Sequence, residues 1–323
     1  MALLYVTRRI PEVGLNALRS AGHEVVVSEK DGALTHDELL QALSTRPYEG
    51  IVSLLNDQID VSVLAVVPQL RIVANYAVGY NHISLEHTKA CGVTVTNTPG
   101  VLTASVAEFT LAMMFAVVKR IPEADTFMRS GAFEGWAPEL LLGSDLRGKT
   151  LAIVGAGRIG CEVAVAAHHG FGMNIIYTDA KPSDILESKV PATFHSTLDT
   201  LLPEADVVTI HVPLLPATQH LIHAERLAQM KKTAYLINTA RGPIVDEVAL
   251  VAALQNGTIR GAALDVFEAE PEISADLRAL TNVVITPHIA SATTETRDNM
   301  ALMVAANVND FFAGKTPANV VTE

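Results

Sequence analysis

Four residues of chemically useful type stand just beyond short apolar runs in the second half of the chain: Arg241, Asp265, Glu270 and His288. Arginine presents a rigid planar fork of donors that matches a carboxylate. Histidine, with an ordinary pKa of about 6.5, gives or takes a proton near neutral pH. A carboxylate beside the ring favours imidazolium and holds its orientation. These are the parts needed to reduce a carbonyl that carries a neighbouring carboxylate. A cation grips the acceptor and polarises it, and a proton donor supplies the hydroxyl hydrogen. Each residue alone has an ordinary explanation. Arg241 could be a surface arginine, Asp265 a turn cap, Glu270 a solvated acid before Pro271, and His288 a satisfied buried histidine after Pro287. Their shared position after strands, together with a glycine-rich turn upstream, favours catalysis.

That turn lies in the stretch 149–179. Residues 151–154 form an apolar strand, and Gly155, Gly157 and Gly160 follow it as G-x-G-x-x-G. Residues 158–169 are rich in alanine and valine and suit a helix; 174–178 suit a second strand, with Asp179 at its end. In this arrangement the first glycine allows a tight turn, the second lets a pyrophosphate approach the backbone, and the third lets helix and strand pack closely. The helix start then faces the phosphates with free N–H groups and the positive end of its dipole. Gly155, Gly157, Arg158, Ile159 and Gly160 are accordingly the candidate phosphate-binding residues. Asp179 lies nineteen positions after Gly160, near the spacing of about 20 for an acid on the adenosine ribose. Such a carboxylate accepts from a 2′-OH and repels a 2′-phosphate, so NAD(H) is expected over NADP(H). Lys181 softens that preference and leaves NADP(H) open.

The elements that must position these residues alternate along the whole chain. Strands are expected at 2–6, 23–27, 50–55, 70–75 and 93–96, separated by helices at 11–21, 35–43, after Asp60 and at 84–90. Thr35 and Glu38 form a capping box. A mostly apolar helix over 103–119 suits a connector. Beyond the glycine turn, strands are expected at 206–210, 234–237, 261–264 and 283–285, and a final helix runs from Thr294 to Phe312. Repeated βα units of this kind imply parallel sheets covered by helices. The fold class is therefore α/β, with two Rossmann-like, doubly wound parallel-sheet domains. The final helix is expected to return to the first, making it discontinuous: 1–99 and 291–323 for the substrate, 100–290 for the nucleotide. The loop 76–81 follows a strand's carboxyl end, where open α/β sheets bind ligands. The segment 127–146, with the single tryptophan, Trp136, reads either as a loop over the core or as an arm packed on a second subunit.

Composition narrows the partners. A chain of 323 residues with 49% hydrophobic content suits two domains with substantial cores. A formal net charge of -12 argues against non-specific binding to nucleic acid or an anionic membrane. Cys91 and Cys161 form no metal spacing, and no metal is expected. At the start, the charged residues Arg8 and Arg9 follow the apolar ones, the wrong order for a secretory signal. A soluble cytoplasmic protein is expected.

The segments 239–246 (Thr-Ala-Arg-Gly-Pro-Ile-Val-Asp), 264–271 (Leu-Asp-Val-Phe-Glu-Ala-Glu-Pro), 286–293 (Thr-Pro-His-Ile-Ala-Ser-Ala-Thr) and 75–81 (Asn-Tyr-Ala-Val-Gly-Tyr-Asn), with the glycine turn, resemble the D-2-hydroxyacid dehydrogenase family over almost the whole chain. Within it, 136–143 (Trp-Ala-Pro-Glu-Leu-Leu-Leu-Gly) looks most like the glyoxylate/hydroxypyruvate reductases. The resemblance implies that Arg241 binds substrate and that His288 is the general acid in reduction. Glu270, rather than Glu268, is its partner, because the family's acid immediately precedes the proline. Val78 and Gly79 would offer N–H groups to the substrate carboxylate. His211, Val212, Pro213, Thr218, Thr239, Ala240, Asp265 and Ala290 would contact the cofactor. Separately from the resemblance, Leu54 and Leu55 end a first-domain strand where they could line the pocket, which leaves aliphatic substrates open. Family members are usually homodimers, and a tryptophan like Trp136 reaches the neighbour's site. Glu270 argues against formate as substrate, since formate dehydrogenases carry glutamine there. Val78 argues against phosphite, whose dehydrogenases place lysine there despite their likeness over 129–136. No regulatory domain of the phosphoglycerate dehydrogenase kind is expected. The family's glyoxylate reductases often prefer NADPH, which Asp179 opposes. A dehydrogenase for a bulkier D-2-hydroxy acid, and a non-catalytic NAD-sensing corepressor-like protein, are the alternatives.

Overall fold

The computed structural model describes residues 1–322; Glu323, the last residue of the expected first domain, lies outside them. The chain forms two compact units. One joins Met1–Leu102 to the tail from Ala292, and the other is Thr103–Ser291.

The first unit runs β1 (Leu3–Val6), α1 (Glu12–Ser20), β2 (Glu24–Val27), α2 (His36–Ser44), β3 (Gly50–Ser53), α3 (Val61–Val66), β4 (Ile72–Asn75), α4 (Leu85–Ala90) and β5 (Thr94–Thr96). Its strands lie in the order β2-β1-β3-β4-β5, all parallel. β3 and β4 are buried throughout, as apolar strands covered on both faces must be. Thr35 and Glu38 form the expected reciprocal cap on α2, and the Asp60 carboxylate accepts from Ser62 N and Val63 N at the start of α3. Leu39, Leu43, Tyr48, Ile51, Val63 and Val73 fill one side of the sheet.

The second unit runs α5 (Thr103–Val118), α6 (Ile121–Arg129), β6 (Thr150–Val154), α7 (Arg158–Phe171), β7 (Asn174–Thr178), α8 (Asp184–Glu187), β8 (Ala192–Phe194), α9 (Leu198–Leu201), β9 (Val207–Ile210), α10 (Ala224–Gln229), β10 (Tyr235–Asn238), α11 (Glu247–Gln255), β11 (Gly261–Leu264), α12 (Ala275–Ala279) and β12 (Val283–Ile285). Seven parallel strands lie in the order β12-β11-β10-β9-β6-β7-β8. One face packs on α5 and α7 through Met113, Met114, Val117, Val163 and Ala167; the other packs on α9 to α11 through Leu201, Leu227, Leu250 and Leu254. The helix read as a connector is thus a core helix of this unit. The final helix, α13 (Thr294–Phe312), packs on α1 and β4 of the first. Among the described residues, no helix is long and apolar enough to cross a membrane.

Candidate active site

The second sheet reverses its order at β6. The chain runs outward from β6 through β7 and β8, then returns to β9 on the other side, and such a switch opens a crevice at the strands' carboxyl ends. The glycine turn lies there. Gly155 has φ +100, and a Cβ on it would sit 2.8 Å from the His211 carbonyl carbon. A Cβ on Gly160 would sit 2.1 Å from Gly155 O and 2.9 Å from Ile153 Cγ2. A Cβ on Gly157 would meet nothing within 4 Å. The outer glycines are required by the chain's own packing, while the middle one leaves open space before the first N–H groups of α7. A pyrophosphate fits that space. Asp179 closes the turn: its Oδ2 accepts from Ala156 N at 2.8 Å and its Oδ1 from Ala180 N at 2.6 Å.

The neighbouring strand ends carry the other expected cofactor residues. His211 N donates to Val154 O at 2.7 Å, and His211 Nε2 pairs with Thr209 Oγ1 at 3.0 Å. Burial pushes the His211 pKa down to about 3, so this ring is neutral at physiological pH. Thr218 Oγ1 donates to Pro213 O at 2.7 Å and holds the His211-Val212-Pro213 loop closed. Thr239 meets Thr110 of α5 at 2.9 Å, and Ala240 N donates to Asn238 Oδ1 at 3.0 Å. Asp265 is fully buried and accepts from Thr286 Oγ1, Ile289 N and Ala290 N, which ties the end of β11 to the loop after β12. Burial raises the Asp265 pKa, although these three bonds and the charge of His288 oppose it.

His288 and Glu270 meet in this unit. His288 Nδ1 lies 3.0 Å from Glu270 Oε2, and Glu270 Oε1 accepts from Phe267 N at 2.9 Å. Burial pushes the Glu270 carboxyl up, but the His288 bond and charge, the Phe267 N–H and Arg241 outweigh it and hold it below the usual carboxylate range. Arg241 follows β10 and is half-buried, with Nη1 donating to Ala240 O at 2.7 Å. Burial lowers its pKa, while the Glu270 charge pulls the other way. The arginine and acid loops touch backbone to backbone. A Cβ on Gly242 would fall 1.9 Å from both Phe267 C and Phe267 O, so no other residue fits beside Arg241. His288 has φ +54, a left-handed conformation rare outside glycine. Its N–H donates to Asp265 O at 2.9 Å. A strained histidine paired with a half-buried acid is the arrangement expected of a proton donor.

In the first unit, Leu54 follows β3, and its N–H donates to Asp57 Oδ2 at 2.6 Å. Asp57 is buried, and burial raises its pKa against hydrogen bonds from Thr7 and Leu54. Val78 and Gly79 lie in the loop after β4.

Comparison with known proteins adds the lineage. Residues 111–290 match the model of the D-isomer specific 2-hydroxyacid dehydrogenase NAD binding domain. The chain is 46% identical over 322 residues to a glyoxylate reductase of Thermofilum pendens, covering 99% of this chain and 94% of the relative. The chain belongs to the D-isomer specific 2-hydroxyacid dehydrogenases. It is an NAD(P)-dependent oxidoreductase with the two-sheet architecture of solved members. A crystal structure of a Thermus thermophilus protein matches with TM-score 0.92 at 43% identity, covering 99% of this chain and all of that one. An NADPH-dependent glyoxylate/hydroxypyruvate reductase from Sinorhizobium meliloti, in complex with NADP and malonate, matches with TM-score 0.86 at 33% identity, covering 99% of this chain and 97% of that one.

One feature of this dehydrogenase escaped the sequence reading. Glu268 is engaged elsewhere: Oε1 lies 2.6 Å from His220 Nε2 and Oε2 accepts from Glu247 N at 3.1 Å, while Glu247 Oε2 accepts from Glu268 N at 3.2 Å. His220 N donates to Pro243 O at 2.8 Å. One network therefore joins the 211–220 loop, the arginine loop and the acid loop, and Glu268 raises the His220 pKa. The only sequence signal was the second acid, two positions before Glu270. Of the segment read as a loop over the core or an arm on a second subunit, residues 127–129 end α6, and 130–143 follow it. Trp136 is 85% exposed, so it is not a lid over this chain's core. The segment's far end is held by Arg260 Nη2 on Leu142 O at 3.2 Å and by Ser144 N on Val118 O at 3.0 Å.

Proposed function

We propose that this dehydrogenase reduces a small 2-oxo acid, glyoxylate or hydroxypyruvate, to the D-2-hydroxy acid, with NADH as preferred donor. The reading rests on the 3.0 Å contact between His288 and Glu270 beside Arg241. In our assignment, residues 100–290 hold the cofactor, and residues 1–99 with 291–323 receive the substrate through Leu54, Val78 and Gly79. The nicotinamide, when bound, supplies the hydride that reaches the carbonyl carbon. Arg241 holds the substrate carboxylate and draws electron density towards the carbonyl oxygen. His288 is left with Nε2 for the substrate, because Nδ1 faces Glu270. It donates its proton as the oxygen takes up the carbonyl electron pair, and Glu270 compensates the imidazolium charge beforehand. In oxidation the same ring accepts the proton. Following NADH absorbance against a panel of 2-oxo acids tests this; no consumption with any acid would refute it. The names of the Thermofilum and Sinorhizobium relatives favour the two substrates proposed.

Cofactor choice turns on Asp179. Both of its oxygens accept backbone N–H groups, which restrains the carboxylate, and in our reading its charge disfavours a 2′-phosphate. Asp179→Ser retains an acceptor and removes the charge. The ratio of kcat/KM for NADPH to that for NADH should rise about tenfold or more, since each ~1.4 kcal/mol is a factor of ten. An unchanged ratio would remove Asp179 from cofactor selection.

We further propose a cytoplasmic homodimer in which the exposed Trp136 segment packs on the second subunit and extends to its substrate site. Light scattering should give twice the 34.4 kDa chain mass; a monomer at micromolar concentration would contradict the dimer.

A further inference from the structure

The carbonyl side of the loop after β4 is held by three anchors. Ala77 O accepts from Thr98 N at 3.0 Å and from Asn75 Nδ2 at 3.3 Å. Val78 O accepts from Asn97 Nδ2 at 2.8 Å. Gly79 O accepts from Asn75 Nδ2 at 2.9 Å. In a trans peptide the C=O of one residue and the N–H of the next point in opposite directions. Anchoring the Ala77 and Val78 carbonyls therefore turns the Val78 and Gly79 N–H groups away from the anchors. Among the described residues, neither N–H donates to a protein acceptor.

Asn75 is the centre of this arrangement. It ends β4, is fully buried, and directs one amide nitrogen at two carbonyls. Carbonyl oxygens only accept, so the amide orientation is settled: Nδ2 faces the loop and Oδ1 faces away from it. Oδ1 lies 3.2 Å from Nε2 of the buried His82. Since Oδ1 can only accept there, Nε2 carries the hydrogen. The ring thus backs the amide from behind and prevents its rotation.

We propose that Asn75 is a positioning residue, backed by His82, that presents the Val78 and Gly79 N–H groups as a paired receptor for the substrate carboxylate. The proposal deepens the 2-oxo-acid reading and rests on it for the identity of the ligand. Asn75 touches no substrate itself. Its effect is to preorganise two donors that would otherwise share their freedom with the loop.

The test compares wild type, Asn75→Ala, Asn75→Asp, His82→Phe and His82→Gln. The probe is oxamate, a non-reactive isostere of a small 2-oxo acid, titrated into the NADH-loaded protein, with KM and kcat measured in parallel. Asn75→Asp retains the acceptor towards His82 but loses both donors. His82→Gln retains a donor towards Asn75. Asn75→Ala, Asn75→Asp and His82→Phe should raise the oxamate Kd and the substrate KM about tenfold, the scale of losing one or two hydrogen bonds that act on a charged ligand. The kcat at saturation and the NADH Kd should stay within about threefold, and His82→Gln should recover most of the loss. An unchanged oxamate Kd in the Asn75 variants would overturn the proposal. So would a parallel loss of NADH affinity and kcat, the mark of general structural damage. Oxamate binding by wild type that weakens in the variants, without turnover of any 2-oxo acid, would uphold the receptor and refute the reduction reading. No oxamate binding by wild type would refute the receptor.

Discussion

His288→Ala lowers kcat by about 10²–10⁴-fold, the contribution of a positioned general acid, and leaves the NADH Kd within about twofold. The ring is the one titratable group in its loop whose partner is an acid held below its ordinary pKa, by His288 and Arg241 against the pull of burial. Removing the ring leaves Glu270 half-buried with only the Phe267 N–H and the Arg241 charge to compensate it. Reduction must then draw its proton from water, and the developing alkoxide loses its nearest donor. Stopped-flow measurement of a single turnover isolates the chemical step from product release. A variant with near-full turnover would exclude His288 as the proton donor. Glu270→Gln should have a smaller effect. Glutamine retains a hydrogen bond to Nδ1 and so keeps the ring's orientation, but it loses the carboxylate's negative charge.

Arg241→Lys lowers kcat/KM by about 10²–10³-fold, the scale of losing one donor aimed at developing charge. The substitution preserves charge at neutral pH in water, but this site is half-buried and burial already depresses the guanidinium. A lysine there is further disfavoured as a cation, and it lacks the two-pronged geometry that holds a carboxylate in one plane. Arginine is also seated by its own backbone, through Nη1 on Ala240 O and through the contact of Gly242 with Phe267. The shorter reach and single point of contact of lysine cannot use that seat. Steady-state kinetics with the preferred 2-oxo acid reads the loss. A variant within threefold of wild type would assign carboxylate binding to another group.

Much of the architecture was legible because parallel strands buried on both faces leave compact apolar runs. Residues 261–264 are such a strand with those bounds, the edge strand 283–285 keeps the apolar run although it is only partly buried, and the Thr35–Glu38 cap was readable from two side chains three positions apart. The elements that went unread give weak signals. α8, α9, α10 and α12 have four to six residues each, too few turns to show a period. α6 buries none of its residues within the chain, although its apolar side chains gather on one face. The helix over 103–118 misled for another reason. Its length and its position between the two halves read as a bridge, yet its buried residues pack on α7 and on β10 to β12. At the site, residue type and position after a strand singled out Arg241, Asp265, Glu270 and His288 as candidates, and the family resemblance narrowed them to three catalytic ones. The Glu268–His220–Glu247 network and the Asn75–His82 pair were not legible. Their partners lie up to 48 positions apart, and no local spacing encodes such contacts. Asn75 stood inside a quoted motif, but its function depends on which carbonyls it meets.

Under the role proposed for His288, its left-handed backbone sets endurance against activity at one position. A φ of +54 costs a histidine roughly 1 kcal/mol that asparagine partly avoids. His288→Asn should therefore unfold at the same temperature as wild type or above it, while scarcely turning over; a clear drop in melting temperature would contradict this. A library sorted only for survival after heating would enrich idle molecules at this codon. Any programme to toughen the protein must either hold residue 288 constant or select on turnover at every round.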